Sequence, residues 1–344
     1  MNAAFKKINS LQPIEIAGFV LLALYPVAII SGNLLINVFI FLFSISFFLN
    51  FRKEKDFFQN NVFYLLSFFF LSLLLNLFFS LYFEHSVIKV AKVLFIIFFV
   101  LEIKRILNSD NKKYMQYVYL AWFIIFLVLS IDVVFEIIFG FNTIGNKSYM
   151  PGRISSFFGD ELVVGAFYHG FVLFFLSYLM VKKFKNNTMI LFIIAVLIIS
   201  FLIGERSNFI KIFISVIIFS YIALRIDFKI KIISSLVIIL SLIGIINFNE
   251  NYKYRYYEQI KYLFSINGYS KYLKQSRYGA HQNAALKIFQ EHKFFGAGIR
   301  NFRIESSKKK YENKEYEKTD YRHSTHPHQI HYEILSETGL IGYL

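Results

Sequence analysis

The chain has 344 residues, of which 56% are hydrophobic and only 17% charged, with 44 phenylalanines, no cysteine and a net charge of +15. This composition lies outside ordinary globular usage and points to a bilayer, while the missing thiols exclude disulfides and any thiolate metal site. A basic excess on so apolar a chain places its charges in loops rather than across a soluble surface.

In chain order, Lys6 and Lys7 precede the first of nine apolar runs, read at 14–31, 33–49, 61–83, 87–103, 115–139, 161–181, 188–204, 209–224 and 230–248. Helical runs of about 20 residues cross the roughly 30 Å of hydrocarbon in a bilayer. No small-residue cleavage site follows "LALYPVAIISGN", so the first run reads as a retained anchor rather than a signal peptide. The fold expected is all-α, a polytopic transmembrane bundle over 1–248 with a large, partly helical extracytoplasmic loop over 249–331.

Orientation follows from the short loops, because Lys and Arg are retained on the cytoplasmic side. Alternate segments carry Lys6, Lys7; Arg52, Lys53, Lys55; Lys104, Arg105, Lys112, Lys113; Lys182, Lys183, Lys185; and Arg225, Lys229, Lys231, which is 15 against only Lys147, Arg153 and Arg206 opposite. The N-terminus is therefore expected in the cytoplasm and the segment 249–331 outside. Asp132 and Glu136, four residues apart, lie at the depth of Lys89 and Lys92 and read as neutralising partners. His169 reads as a histidine inside the bundle.

The outer segment holds 16 Lys and Arg against 8 Asp and Glu, with six of the eight histidines and eleven tyrosines. Such a surface beside a membrane suits acidic lipid heads or lipid-linked anions, and its location excludes nucleic acid. "SRYGAHQNAALKIFQEHKFFGAGIRNFR" (276–303) spaces Ala284, Ala285, Ile288 and Phe289 as an amphipathic helix that ends before a Gly296–Gly298 turn. "SSKKKYENKEYEKTDYR" (306–322) is a charge run without apolar period, expected as a solvated loop. "HSTHPHQIHYEILSETGLIGYL" (323–344) then puts His323, His326, His328 and His331 in nine residues. A solvated loop, a metal site and a catalytic site all remain open for that pattern. It leads into a tenth apolar helix starting near Tyr332 and cut off at Leu344, with Ile330, Ile334 and Leu335 expected on a buried stripe.

"HQIHYEILSETGLIGYL" resembles the signature of the O-antigen ligase and O-antigen polymerase superfamily, in which a His and an amide residue precede an apolar helix with "ETGLIG". "FFGAGIRNF", "SRYGAHQNAALKIF", "GERSNFIKIF" and "GRISSFFGDELVVGAF" are similar to further elements of that family in the same order, over roughly residues 145–344. The chain departs from the family at Asp160-Glu161, at Glu205 and at Lys293-Phe294-Phe295.

The resemblance implies an inverting membrane glycosyltransferase that works without cofactor or metal. Its donor would be an undecaprenyl-diphosphate-linked glycan, and its acceptor lipid A-core (a ligase) or another lipid-linked glycan (a polymerase). It would lie in the bacterial inner membrane with a periplasmic loop. The family's histidine carries over to His328, which precedes Gln329, and its arginines to Arg206 and to Arg153, Arg277, Arg300 and Arg303. His326 and His331 are expected as substrate contacts.

The residues support the same chemistry independently. Guanidinium groups grip diphosphate oxygens in pairs, and a neutral imidazole takes a proton from a sugar hydroxyl. Arg153, Arg206 and Arg277 are expected to form one basic cavity at the outer face. A transporter or flippase for lipid-linked anions is the alternative, although no internal repeat is visible.

Overall fold

In hydrocarbon a spanning backbone must satisfy its own N–H and C=O groups, so every apolar run of this length has to become a helix. A computed structural model describes residues 13–50, 61–109, 112–224 and 227–344. Lys6, Lys7, Arg52, Lys53, Lys55 and Arg225, used above for orientation, lie outside the described residues.

All nine runs are helices: α1 (Pro13–Ile30), α2 (Asn33–Asn50), α3 (Asn61–Phe78), α4 (Phe83–Asn108), α5 (Lys112–Phe139), α6 (Val164–Val181), α7 (Asn186–Leu202), α8 (Arg206–Ala223) and α9 (Phe228–Phe248). They are followed by α10 (Gly268–Gln275), α11 (Arg277–Glu291) and α12 (Ile330–Tyr343), and the described residues contain no strand. Among the described residues, six helices (α2, α3, α5, α6, α8 and α9) are long and apolar enough to cross a membrane, and α1 and α7 are shorter apolar helices. The chain is a multi-pass, all-α membrane protein. Helix α3 stops five residues before the run was expected to end. The turn after it is held by Leu81 N–H on the Ala297 carbonyl (3.0 Å), and Asn76 Nδ2 donates to the Phe295 carbonyl (2.6 Å).

The chain forms two compact units, one of residues 1–39 with 109–261 and one of 40–108 with 262–344. The core of the first unit is aromatic. The Phe126 ring lies 4.8 Å from Tyr168 and 4.9 Å from Phe175, and all three side chains are buried. Lipid tails are as apolar as these side chains, so the gain is packing rather than water release, about 0.5–1.5 kcal/mol per aromatic pair.

Within this unit Asp132 and Glu136 take loop donors. Asp132 accepts from Thr143 N–H (2.8 Å) and the Ser156 hydroxyl (2.5 Å), and Glu136 from the N–H groups of Ser155 (3.2 Å) and Ser156 (2.6 Å). The two carboxylates organise the loop before α6, because backbone donors from a folded turn neutralise them more compactly than a long ammonium chain. His169 is exposed on α6 rather than packed inside.

In the second unit, small residues let α11 approach its neighbours closely. Ala284, Ala285 and Ile288 bury against Ala297, Phe302 and Tyr311. Most of the charge run is exposed, as expected of a solvated loop, but buried side chains tie it to the core. Tyr311 is 1% exposed and Arg322 is buried, its guanidinium donating to the carbonyls of Ser307 (3.1 Å) and Lys308 (3.3 Å). Glu305, fully buried, accepts from Tyr82 (2.9 Å), Tyr311 (2.8 Å) and Lys308 (2.5 Å). Burial pushes its carboxyl up, but the hydrogen bonds from Lys308, Tyr311 and Tyr82 outweigh that and hold it below the usual range. A buried anion thus tethers one lysine of the run, Lys308, which itself stays exposed.

Candidate functional site

Two groups of side chains carry chemistry, one in each unit. In the first unit, Gly204 adopts φ +79°, and a Cβ there would sit 1.9 Å from the Gly152 carbonyl oxygen. This close approach, with Ile154 N–H on the Ile203 carbonyl (3.1 Å), brings Arg153 beside the start of α8. Arg153 Nη2 donates to the Leu162 carbonyl (2.5 Å) and lies 3.5 Å from Glu205. Glu205 in turn accepts from Gly165 N–H (2.8 Å) and Asn208 (2.6 Å).

Arg206 opens α8, where its charge opposes the helix dipole. Its Nη1 donates to the Arg255 carbonyl (3.0 Å), and Arg255 Nη2 donates to the Gly204 carbonyl (3.0 Å). Arg255 is the member that sequence reading missed. Its only signal was an arginine inside the aromatic run "YKYRYY" directly after the ninth span. Burial lowers the pKa of this guanidinium, and the charges of Arg153 and Arg206 lower it further.

Among the described residues, one carboxylate, Glu205, pairs with this group of three arginines. The Nε–H of Arg153 and that of Arg255 are buried with no hydrogen-bond partner. Arg153, but neither Arg206 nor Arg255, lines a cavity of about 670 Å³ together with Glu136, Gly152, Asn249, Asn251 and Tyr252, the Glu136 carboxylate being turned to the N–H groups of Ser155 and Ser156. Unpaired buried donors and surplus positive charge beside a cavity together suit an anion with several acceptor oxygens.

In the second unit, the two halves of the C-terminal signature lock onto each other. Gly339 takes φ +66° and kinks α12, freeing Leu340 N–H for the Lys293 carbonyl (2.8 Å) and Ile341 N–H for that of Phe294 (3.1 Å). Ala297 and Gly298 donate to the carbonyls of Ser336 (2.8 Å) and Glu337 (2.9 Å). A Cβ on Gly296 would stand 2.3 Å from the Glu337 carbonyl carbon, and one on Gly339 2.3 Å from the Phe294 oxygen. The buried Glu337 carboxylate accepts from the N–H groups of Arg300 (2.7 Å) and Phe302 (3.3 Å), which holds Arg300 at φ +66°.

The buried face of α12 is Ser336, Glu337 and Gly339, not the apolar stripe expected. Ile330 is exposed and lines, with Phe295, Ile334 and Ile341, a cavity of about 410 Å³. The kink redirects the helix so that polar and small residues, rather than isoleucines, meet the glycine turn.

His328 follows Pro327 and adopts φ +57°, a left-handed conformation rare for a side chain of its size. Gln329 next to it is the cap of α12, its Oε1 accepting Tyr332 N–H (2.8 Å). The amide of the "HQ" pair is thus a helix cap that fixes the backbone bearing the histidine. The His328 ring lies 4.1 Å from His326, 5.2 Å from His281 and 5.0 Å from Tyr278 between centroids. His328 is exposed, yet partial burial, then His326 and His281, push its pKa down to about 4.

Of the other predicted residues, Arg277 and His323 are near enough for their charges to lower the pKa of His281. Arg277 is exposed, its guanidinium 4.2 Å from the centre of the Tyr321 ring. Arg303 is half-buried, with its Nε–H unpaired. His331 turns away to Tyr343 (3.0 Å), and His323 is exposed. Among the described residues, no group of three side chains is arranged to hold a metal ion. His281, buried on α11, was not singled out from the sequence, where it was one polar position in an amphipathic helix.

Residues 171–344 match a family model described as O-antigen ligase. The match contains "GERSNFIKIF", the glycine turn and the histidine signature, and begins after "GRISSFFGDELVVGAF". Comparison with curated proteins and with solved structures gives no match.

Proposed function

The chain belongs to the O-antigen ligase family, and from that membership we propose that it transfers an undecaprenyl-diphosphate-linked glycan to lipid A-core by inversion at the anomeric carbon. The observation that carries the reading is the arginine group. Three guanidiniums, two with unpaired buried Nε–H donors, are offset by one carboxylate among the described residues. Arg153, Arg206 and Arg255 would bind the donor's diphosphate and stabilise the charge that grows on it as the glycosidic C–O bond breaks.

His328 would accept the proton of the attacking acceptor hydroxyl, for which its uncharged state at neutral pH suits it. The new C–O bond forms on the face opposite the departing oxygen, undecaprenyl diphosphate leaves, and the proton stays on the imidazole until water removes it. Arg300 and Arg303 are proposed as glycan or phosphate contacts, Arg277 as a contact on the loop surface, and His326 and His331 as flanking substrate contacts. The setting proposed is the bacterial inner membrane, with the N-terminus cytoplasmic and 249–331 periplasmic.

Gene disruption followed by lipopolysaccharide gel analysis tests the activity. Loss of all O-antigen bands with lipid-linked polymer accumulating supports the ligase. A single added repeat unit assigns a polymerase instead, and an unchanged profile overturns both. A cytoplasm-only reporter that is active when fused after Lys309 would overturn the orientation.

A further inference from the structure

The transfer step proposed above has no use for His281, yet this residue is only 7% exposed and faces His328 directly. The two imidazoles lie nearly parallel, 26° apart at 5.2 Å, and Tyr278 stands edge-on to both, 5.0 Å from His328 and 6.2 Å from His281. His281 Nδ1 is buried with no hydrogen-bond partner. A polar atom buried without a partner is unfavourable. The ring does hydrogen-bond the Tyr321 backbone, but the unpartnered Nδ1 against the face of His328 calls for an electrostatic reason beyond that bond.

A phenyl face attracts a cation, so it would stabilise a protonated His328. An imidazole offers less of that attraction, and it removes water from one face of its neighbour just as well. The charges of His326, Arg277 and His323 work in the same direction, while a hydrogen bond with the Tyr321 backbone opposes them at His281. Arg277 and Tyr278 come from α11 itself, and His323, His326 and Tyr321 come from the segment before α12. Burial is the largest cause lowering the pKa of His281, so it does not itself become a standing charge near neutral pH.

We propose that His281 is a positioning residue for His328, holding the plane of its ring by stacking and keeping that ring uncharged by covering it with an imidazole rather than a phenyl face. The proposal rests on the reading of His328 as the base, and the two can fail separately.

The test measures glycan transfer against pH in the full-length protein for His281→Ala, His281→Phe and His328→Ala. His281→Ala loses the stack, and its kcat on the alkaline plateau should fall roughly ten- to hundredfold with little change in donor KM. His281→Phe keeps the stack, so its plateau should stay within about threefold of the parent. Its acid limb should move up from near 4 toward the ordinary imidazole value of about 6.5. A residue that served packing alone would leave that limb in place.

If His281→Phe keeps the parental acid limb, the proposal is overturned, whatever happens to the plateau. If His281→Ala leaves transfer unchanged while His328→Ala abolishes it, the positioning role falls and the base assignment stands. If His328→Ala transfers normally, the base assignment falls first and takes this proposal with it. Should His281→Ala not fold, the limb of His281→Phe decides alone.

Discussion

The arginine group of the first unit and the histidine group of the second are both basic in sequence, and the fold treats them in opposite ways. Arg153, Arg206 and Arg255 are each pinned by a backbone carbonyl, and Glu205 is the carboxylate that pairs with them among the described residues. Their charge is permanent and is held in place. His328 is set by a left-handed backbone and by ring contacts with His281, His326 and Tyr278, and its charge is suppressed. Binding a diphosphate requires charge that does not titrate, whereas accepting a proton requires a group that is not already charged. Counts of Lys, Arg and His cannot separate those two uses.

The largest effect should come from the proton acceptor. His328→Ala should lower transfer about 10²- to 10⁴-fold while the protein still inserts in membranes, as an activity assay beside a membrane fraction would show. In the parent, transfer should hold steady above the acid limb and fall only as pH drops through about 4, because protonation then removes the base. An arginine-only mechanism has no such limb, so a flat profile down to pH 3 would erase the distinction between the two groups.

Arg255→Ala comes next. It removes a buried guanidinium that donates to Gly204 and flanks two others. A charge-assisted hydrogen bond of about 1.5–3 kcal/mol corresponds to roughly ten- to hundredfold weaker donor engagement. The loss should appear in donor KM or in the salt dependence of binding. Normal kinetics in this variant would remove Arg255 from the group.

Backbone substitutions should separate the two units. Gly204→Ala and Gly339→Ala each force a side chain into φ near +70° and into a carbonyl oxygen, at 1.9 Å and 2.3 Å respectively. Strain of about 1–3 kcal/mol or more is expected in each, visible as a lower Tm in detergent. Gly204→Ala should impair donor binding, and Gly339→Ala should loosen the 293–302 turn held against α12. Equal damage to both functions from either change would contradict separate devices.

Glu205→Gln should have the smallest effect. It removes the countercharge from Arg153 while keeping one oxygen to accept Gly165 N–H or Asn208. Binding of undecaprenyl diphosphate should tighten, by about two- to fivefold on the scale of a partly exposed ion pair. Weaker binding would mean that the carboxylate orients the arginine rather than dilutes its charge.

Much of the architecture was legible because bilayer thickness and backbone satisfaction act locally. Runs of about 20 apolar residues had no alternative to helices, and all nine appeared within a few residues of the expected ends. The signature around His328 was legible for a related reason. The glycines at 296 and 339 mark backbone that side chains cannot occupy, and Gln329 marks a helix start.

Side-chain partners were not legible, since each depends on where distant segments meet. The anchoring of the lysine-rich run was hidden because Glu305, the buried carboxylate that Lys308 and Tyr311 meet, looks like any other glutamate in sequence. The donors that Thr143, Ser155 and Ser156 offer to Asp132 and Glu136 could not be counted from depth in a helix.

The sequence by itself determined the solvent, the helices and the family, all set by composition, periodicity or contiguous motifs. Tertiary structure alone decided that Arg255 completes the arginine group, that His281 rather than His331 stacks on His328, and that Glu337 holds the Arg300 backbone. Those pairings span 37 to 51 residues. Helix packing and a kink at one glycine bring them within bonding distance, and no local propensity encodes which side chain will be found there.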